Sequence, residues 1–170
     1  MKKCLARRIS IVLVSLVFVS AFFQAFALAA EVGEESPEFQ FRTLDGVHVR
    51  FCDLKGEKPV FLVFWATWCR SCKEEVPAIN ELYEKFASKG MEFLAVGVGI
   101  NDSETRVKKF ASKHNLSYPV AFDPDGMESK KFGVLGTPTI LVIDKGGVIR
   151  YRASIVPEDL ERHFSSLMGS

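Results

Sequence analysis

Two cysteines separated by two residues are the strongest chemical signal in the sequence. Cys69 and Cys72 follow an apolar run and precede a segment with helical periodicity. Cysteines at positions i and i+3 of a helix start lie on the same side, within reach of disulfide geometry. The first cysteine lies next to the unpaired N–H groups at the positive end of the helix dipole, which stabilise a thiolate. We therefore predict that Cys69 is a nucleophile and that Cys72 is the resolving thiol.

A close cysteine pair can also bind a metal or form a structural disulfide. A closed zinc site needs two more ligands, and neither Cys52 nor any of the three histidines stands at motif spacing from the pair. A copper-carrying pair stays open as an alternative. Because the pair lies between a predicted strand and a predicted helix, we favour redox chemistry, which requires no cofactor.

The elements that must position the pair alternate between strands and helices. The run 60–65 is continuously apolar, which is typical of a strand covered on both faces. Asp45-Gly46 lies between two alternating segments, 39–41 and 47–51, and predicts a hairpin of two strands. Further strands are predicted at 93–98, 118–122, 139–143 and 148–151, and helices at 76–86, 107–114, 127–132 and from residue 157. Ser103 is a candidate N-cap for the second of these helices. This order predicts an α/β fold with a mixed sheet and helices on both faces.

The first thirty residues differ in kind from the rest. Four basic residues precede an almost wholly apolar run over 9–30, and the small residues 27–29 are typical of a signal-peptidase site. The run is also long enough to span a bilayer. Residues 1–30 are therefore expected to be a signal peptide cleaved near Ala29 or a retained membrane anchor. Both alternatives deliver everything after Glu31 to the outer side of the membrane.

The exported part has the size and charge of one ordinary domain. We expect a polar linker over 31–37 and a single domain over 38–168. Four of the 22 basic residues lie before residue 30, which leaves 18 against 21 acidic residues and a net charge of −3. This balance gives no support to nucleic-acid binding. We expect a monomer whose partners are proteins.

Three segments carry a resemblance to a known family. The motif Trp65–Cys72, the later Gly136–Thr139 and the closing hairpin resemble the thioredoxin fold. More narrowly, the chain resembles the membrane-associated ResA and TlpA branch, which is related to the AhpC/TSA and redoxin proteins and acts in cytochrome c maturation. The resemblance runs from about Ser36 to Leu167 and includes an inserted strand and helix within 93–114. It implies a thioredoxin-like fold with an N-terminal hairpin.

The resemblance also implies roles for two further positions. Glu75 matches an acidic residue that lies beside the thiols and takes part in proton handling. Its place three residues after Cys72 independently puts it on the same side of the helix, whereas Glu74, the competing candidate, points elsewhere. Pro138 matches a cis-proline, so that Thr137 and Pro138 lie against the active site and offer backbone groups to a bound peptide.

Residues around the pair complete the predicted substrate-binding set. Trp68 is expected to shield the disulfide and to contact partners, and Arg70 and Ser71 lie between the two cysteines. Arg70 can add positive potential near the nucleophile. Trp65 is expected to pack in the core. Cys52 is expected to behave as a small buried hydrophobic residue without a chemical role.

The function implied by the resemblance is reduction of a specific protein disulfide in an oxidising compartment. A membrane thiol carrier would supply the electrons, and apocytochrome c is the first substrate to test. The Arg-Ser pair between the cysteines does not place the protein within the range of roughly −270 to −120 mV that this fold covers. Two alternatives therefore stay open: a copper-site assembly factor or metallochaperone that uses the same pair, and an oxidase that introduces disulfides.

Overall fold

A mixed sheet forms the centre of the molecule. The computed structural model describes residues 30–156 together with Leu160 and Phe164. In this part of the chain, five strands pair in the order β5-β4-β3-β6-β7. They are β3 (Val60–Trp65), β4 (Glu92–Val98), β5 (Val120–Asp123), β6 (Thr139–Ile143) and β7 (Ile149–Ala153). The strands β3, β4 and β5 are parallel, whereas β6 and β7 run antiparallel to their neighbours. The predicted thioredoxin-like α/β fold is confirmed.

A separate two-stranded hairpin precedes the sheet. Strands β1 (Gln40–Arg42) and β2 (His48–Arg50) pair antiparallel, as predicted. Gly46 in the connecting turn has φ +94°, a left-handed conformation that glycine adopts without steric cost. The second strand was predicted to continue to Phe51, which is wrong. Phe51 is buried and begins a short helix, α1 (Phe51–Leu54), that its apolar alternation did not reveal.

The longest helix of the described part begins immediately after Cys69. This helix, α2 (Arg70–Phe86), continues through Pro77 into a 3₁₀ turn that ends at Gly90, with φ +99°. Helix α3 (Glu104–Lys113) begins at Ser103, whose hydroxyl accepts the N–H of Arg106, as its N-cap assignment predicted. Helix α4 is Met127–Lys131.

The two ends of the chain are described only in part. Leu160 and Phe164 are helical and buried. The rest of the helix predicted from residue 157, and the predicted signal or anchor over 1–29, lie outside the described residues. No helix in the part that is described is long and apolar enough to cross a membrane.

The aromatic residues of β3 pack on both faces of the sheet. Trp65 lies 4.6 Å from Phe110 of α3, measured between ring centroids, on the face that α2 and α3 cover. Phe64 points to the opposite face, where its ring lies 5.3 Å from that of Phe132. All six residues of β3 are buried, and each large apolar side chain contributes roughly 1.5–3 kcal/mol to folding. The end of β3, where the cysteine motif begins, is thus fixed in the core.

The segment expected to be a linker packs along β7. The N–H of Gly33 donates to the carbonyl of Ile149 at 2.8 Å, and the N–H of Ile149 donates to the carbonyl of Glu34 at 2.9 Å. Ala30 is buried, and its carbonyl accepts a hydrogen bond from Arg152. Residues 30–36 therefore extend the edge of the sheet.

Gly99 directly follows β4 and packs closely against the backbone of Asp123 and Pro124. A Cβ at this position would lie 2.2 Å from the carbonyl oxygen of Pro124 and 2.7 Å from that of Asp123. Because backbone atoms would have to move, we expect Gly99→Ala to lower the free energy of unfolding by about 2–3 kcal/mol. Urea denaturation of the oxidised protein measures this change. Gly136→Ala is the matched control, since a Cβ added there would have no neighbour within 4 Å, and equal effects of the two variants would contradict the packing.

Candidate functional site

A disulfide at the start of α2 forms the centre of the site. Cys69 and Cys72 are bonded with an S–S distance of 2.06 Å. Cys69 is the N-cap residue of the helix, and its sulfur accepts the backbone N–H of Cys72 at 3.1 Å. The sulfur therefore takes the place that an oxygen occupies in an ordinary N-cap. Each cysteine is only 5% exposed, so a partner must approach this disulfide closely to react with it.

The chain reaches the helix through a tight turn. The N–H of Cys69 donates to the carbonyl of Ala66 at 3.1 Å, which closes a four-residue turn directly after β3. Thr67, inside this turn, donates its N–H and its hydroxyl to the carboxylate of Asp102, at 2.7 and 3.0 Å. The position of Cys69 thus depends on the end of β3, on the turn and on an aspartate that is distant in sequence.

The loop before β6 lies against the disulfide. The Thr137–Pro138 peptide bond is cis, and the Thr137 carbonyl oxygen lies 3.4 Å from the Cys69 sulfur. The hydroxyl of Ser71 lies 3.5 Å from the same sulfur. Because β6 runs antiparallel to β3, its first residues meet the edge of the sheet where β3 ends. The structure therefore brings together Cys69, Ser71, Thr137 and Pro138 as the sequence suggested.

A small cavity lies behind the disulfide. Its volume is about 10 Å³, close to the space that one water molecule requires. The carboxylate of Glu75 accepts the backbone N–H of Val156 at 2.9 Å, which fixes its orientation. The cavity wall includes Trp65, Cys72, Glu75, Tyr118 and Pro138. The inner cysteine and a held carboxylate thus share one enclosed space.

Two other polar groups line this cavity. The indole N–H of Trp65 is buried, and no partner for it occurs in the described part of the chain. Burial raises the pKa of the Tyr118 hydroxyl well above its usual value of 10.0. Tyr118 therefore stays protonated at neutral pH and is no base for the Cys72 thiol. Glu75 is the carboxyl-bearing residue that lines this cavity together with Cys72.

Arg70 and Glu74 pair with each other at the surface and do not line the cavity. Arg70 is exposed, and its Nε lies 3.2 Å from a carboxylate oxygen of Glu74, one helical turn further on. An exposed pair of this kind contributes little to stability. Glu74 is thus occupied at the surface, whereas Glu75 lines the same cavity as Cys72. The geometry separates the two carboxylates in the way that the helical rotation predicts.

Three exposed apolar side chains stand on the loops around the disulfide. Trp68 is 50% exposed, Ile100 is 64% exposed and Leu135 is fully exposed. The indole N–H of Trp68 donates to the carbonyl of Ile100 at 2.9 Å, which joins two of the three loops. We call Trp68, Ile100 and Leu135 the apolar rim. Sequence reasoning identified Trp68 but missed the other two, whose signal is an isolated large apolar residue next to a glycine.

Cys52 lies apart from the site. It was expected to be a buried hydrophobic residue, and this expectation is wrong because its side chain is exposed on α1. The sulfur lies 3.8 Å from a carboxylate oxygen of Asp53. Within the described residues, no group of three or more His, Cys, Asp or Glu side chains is arranged to hold a metal ion.

On this sheet, a cysteine pair at a helix start beside a cis-proline defines the class of thioredoxin-like thiol:disulfide oxidoreductases. Residues 32–152 match the AhpC/TSA family, and the chain belongs to that family. A thiol-disulfide oxidoreductase ResA from Bacillus thuringiensis subsp. konkukian (strain 97-27) is 37% identical over 139 residues, which cover 81% of this chain and 79% of that protein.

Two further comparisons agree with this class. ResA from Geobacillus thermodenitrificans (strain NG80-2) is 35% identical over 153 residues, which cover 89% of this chain and 85% of that protein. A crystal structure of a thiol:disulfide interchange protein from Chlorobium tepidum is 27% identical and covers 82% of this chain and 99% of that one, with a TM-score of 0.69. The chain is a thiol-disulfide oxidoreductase of the ResA type that carries the Cys69–Cys72 pair.

The N-cap geometry predicts different reactivities for the thiols of the reduced protein. A free thiol titrates at roughly 8.5, and the N–H groups at the start of α2 stabilise the thiolate of Cys69. We expect iodoacetamide to alkylate Cys69 roughly tenfold faster than Cys52 at pH 7, as measured by peptide mass spectrometry. Cys52 is the internal control because it is exposed and free. The same pH dependence for both cysteines would contradict the proposed stabilisation.

Proposed function

We propose that this chain is an exported oxidoreductase that reduces specific protein disulfides through the Cys69–Cys72 dithiol. The observation that supports this most is the asymmetry of the pair. The Cys69 sulfur accepts a helix N–H and faces the Thr137 loop, whereas Cys72 lines the cavity that also contains Glu75. An attacking sulfur needs a stabilised thiolate, and a resolving sulfur needs a proton acceptor.

The reaction follows from this arrangement. The Cys69 thiolate attacks one sulfur of a partner disulfide, and the other partner sulfur leaves as a thiolate. The Cys72 thiol then gives its proton to the Glu75 carboxylate and attacks the Cys69 sulfur, which releases the second partner sulfur. The partner gains two electrons, and the chain is left with the Cys69–Cys72 disulfide. No cofactor takes part in these steps.

The surface around the disulfide supports a protein as the substrate. The apolar rim stands on the loops next to two cysteines that are only 5% exposed, so a disulfide on a protruding protein segment can gain apolar contacts while it reaches Cys69. Trp68, Arg70 and Ser71 would contact the partner, and the Thr137–Pro138 backbone would align it. Apocytochrome c, whose cysteines must be reduced before haem attachment, is the first candidate.

The proposed location depends on the N-terminal sequence. Four basic residues and the apolar run over 9–30 support export or anchoring at the periplasmic face of the membrane. A membrane thiol carrier would then return the Cys69–Cys72 disulfide to the dithiol state. This electron source is part of the proposal, because a reductant in an oxidising compartment must itself be reduced continually.

Trapping of the mixed disulfide tests the proposed substrate class. In a Cys52→Ser background, reduced Cys72→Ser protein should form a stable adduct with oxidised apocytochrome c, since the resolving thiol is absent. We expect this adduct to form at least roughly tenfold faster than the adduct with oxidised glutathione. Mass spectrometry of the adducts measures both rates. Cys69→Ser is the control and should give no adduct.

Equal rates for the protein and the small disulfide would contradict recognition of a protein. A redox titration of the wild-type pair separates the remaining alternatives. A potential near the oxidising end of the range, roughly −120 mV, would identify an oxidase. A one-to-one copper complex that survives glutathione, without turnover of disulfides, would identify a copper-site assembly factor.

Glu75→Gln tests the proton acceptor. The glutamine can still accept the N–H of Val156 through its amide oxygen, so the fold should be kept, but it accepts no proton. We expect the resolving step to be slowed roughly tenfold or more at neutral pH and to depend more steeply on pH. Stopped-flow measurement of the second exchange step checks this. Glu74→Gln is the matched control, and equal effects of the two variants would show that Glu75 is not the acceptor.

A further inference from the structure

The carboxylate of Asp102 holds the turn that presents Cys69. Its side chain is completely buried, although it lies in the loop between β4 and α3. It accepts the N–H of Thr67 at 2.7 Å, the hydroxyl of Thr67 at 3.0 Å and the N–H of Ser103 at 2.9 Å. Asp102 also forms an ion pair with Arg106, whose Nε lies 3.8 Å from a carboxylate oxygen. Two of these three hydrogen bonds therefore come from Thr67, which lies two positions before Cys69.

The turn needs such a partner because of its own geometry. In a four-residue turn, the hydrogen bond joins the first and last residues, here Ala66 and Cys69, and leaves the central N–H groups without a partner in the turn. Asp102 satisfies the N–H of Thr67. Trp68, the other central residue, is held through its indole N–H by the carbonyl of Ile100. Both central residues are thus fixed by the same loop.

That loop is itself fixed in shape. Asn101 has φ +52°, a left-handed conformation that few residues other than glycine adopt. The carbonyl of Asn101 accepts a hydrogen bond from Arg106 at 2.8 Å, and the N–H of Asp102 donates to the carbonyl of Gly99 at 3.3 Å. Arg106 of helix α3 therefore stabilises the loop, and the loop in turn stabilises the active-site turn through Asp102 and Ile100.

We infer that Asp102 is a positioning residue of the exchange reaction, which acts through Thr67 on the placement of the Cys69 sulfur. The hydrogen bond from the Cys72 N–H to that sulfur requires the turn and the first residues of α2 to keep one relative position. A loosened turn would weaken this bond and leave the thiolate less stabilised. This inference rests on the proposal that Cys69 is the attacking thiol.

The direction in which the reactivity of Cys69 changes distinguishes a positioning role of Asp102 from a purely electrostatic one. A buried carboxylate near a thiol disfavours the thiolate, so removal of its charge alone would make Cys69 more reactive. Loss of positioning has the opposite effect. Asp102→Asn keeps the shape and one acceptor oxygen but loses the charge, and its NH2 group can no longer accept one of the two backbone N–H groups, that of Thr67 or that of Ser103. Slower reaction of Cys69 in this variant therefore identifies positioning.

The same chain offers a matched control for general loss of stability. Asp123 is also buried, and its carboxylate accepts the N–H and the hydroxyl of Ser129, at 2.8 and 2.6 Å. These bonds hold the start of α4 rather than the active-site turn. Asp123→Asn should therefore lower stability to an extent similar to Asp102→Asn without a specific effect on the nucleophile.

The experiment measures the rate of Cys69 alkylation against pH in the reduced protein, together with urea denaturation. We expect Asp102→Asn and Thr67→Val to slow the alkylation of Cys69 at pH 7 by about three- to tenfold. Thr67→Ser, which keeps the hydroxyl, and Asp123→Asn should stay within about twofold of the wild type. Peptide mass spectrometry assigns each rate to its cysteine. If Asp102→Asn does not fold, the comparison of Thr67→Val with Thr67→Ser decides the question.

Three outcomes would overturn the inference. Unchanged or faster alkylation of Cys69 in Asp102→Asn and Thr67→Val would show that the carboxylate does not position the sulfur. An equal slowing in Asp123→Asn would show that loss of stability alone explains the effect. If Cys69 reacts no faster than Cys52 in the wild-type protein, the proposed role of Cys69 as the attacking thiol fails, and the inference fails with it.

Discussion

The hydrogen bond from the Cys72 N–H to the Cys69 sulfur is the interaction on which the rest of the site depends. At 3.1 Å, it makes a sulfur the N-cap of the longest helix described, and it distinguishes the outer cysteine from the inner one. A cysteine in a random loop would have neither the free N–H groups nor the aligned peptide dipoles of a helix start. Under the proposed function, the geometry of this cap makes Cys69 the attacking sulfur and leaves Cys72 as the resolving one.

The sheet topology explains how this cap is held. Because β3 and β4 are parallel, the turn after Trp65 and the loop after Val98 both leave the sheet at the carboxyl ends of these strands. The antiparallel β6 begins at that end of the sheet and brings Thr137 to the disulfide. Three loops that are distant in sequence therefore meet at the end of the sheet where the disulfide lies. Each of them begins or ends at a buried strand, so their relative positions are set by the core.

The sequence predicted the parts of this arrangement that have local causes. Apolar runs identified β3 and β4, Ser103 identified the start of α3, and the spacing of Cys69 and Cys72 identified the redox pair. The short helix α1 was missed because four residues show no helical periodicity. The contact between Asp102 and Thr67 was missed because it joins residues 35 positions apart, and nothing local distinguishes this aspartate from a loop residue. The exposure of Cys52 likewise depends on where α1 packs.

Buried polar groups and exposed apolar groups have different roles around the disulfide. Asp102 and Glu75 hold their neighbours through carboxylates that backbone N–H groups orient, and such groups keep their geometry because leaving a partner unsatisfied is costly. The apolar rim, in contrast, makes exposed contacts that a partner can cover. Under the proposed function, the chemistry and the recognition of the substrate therefore rest on different residues. Trp68 connects the two, since its indole N–H fixes the turn while the residue is half exposed. Under the proposed function, a change in its side chain therefore alters both.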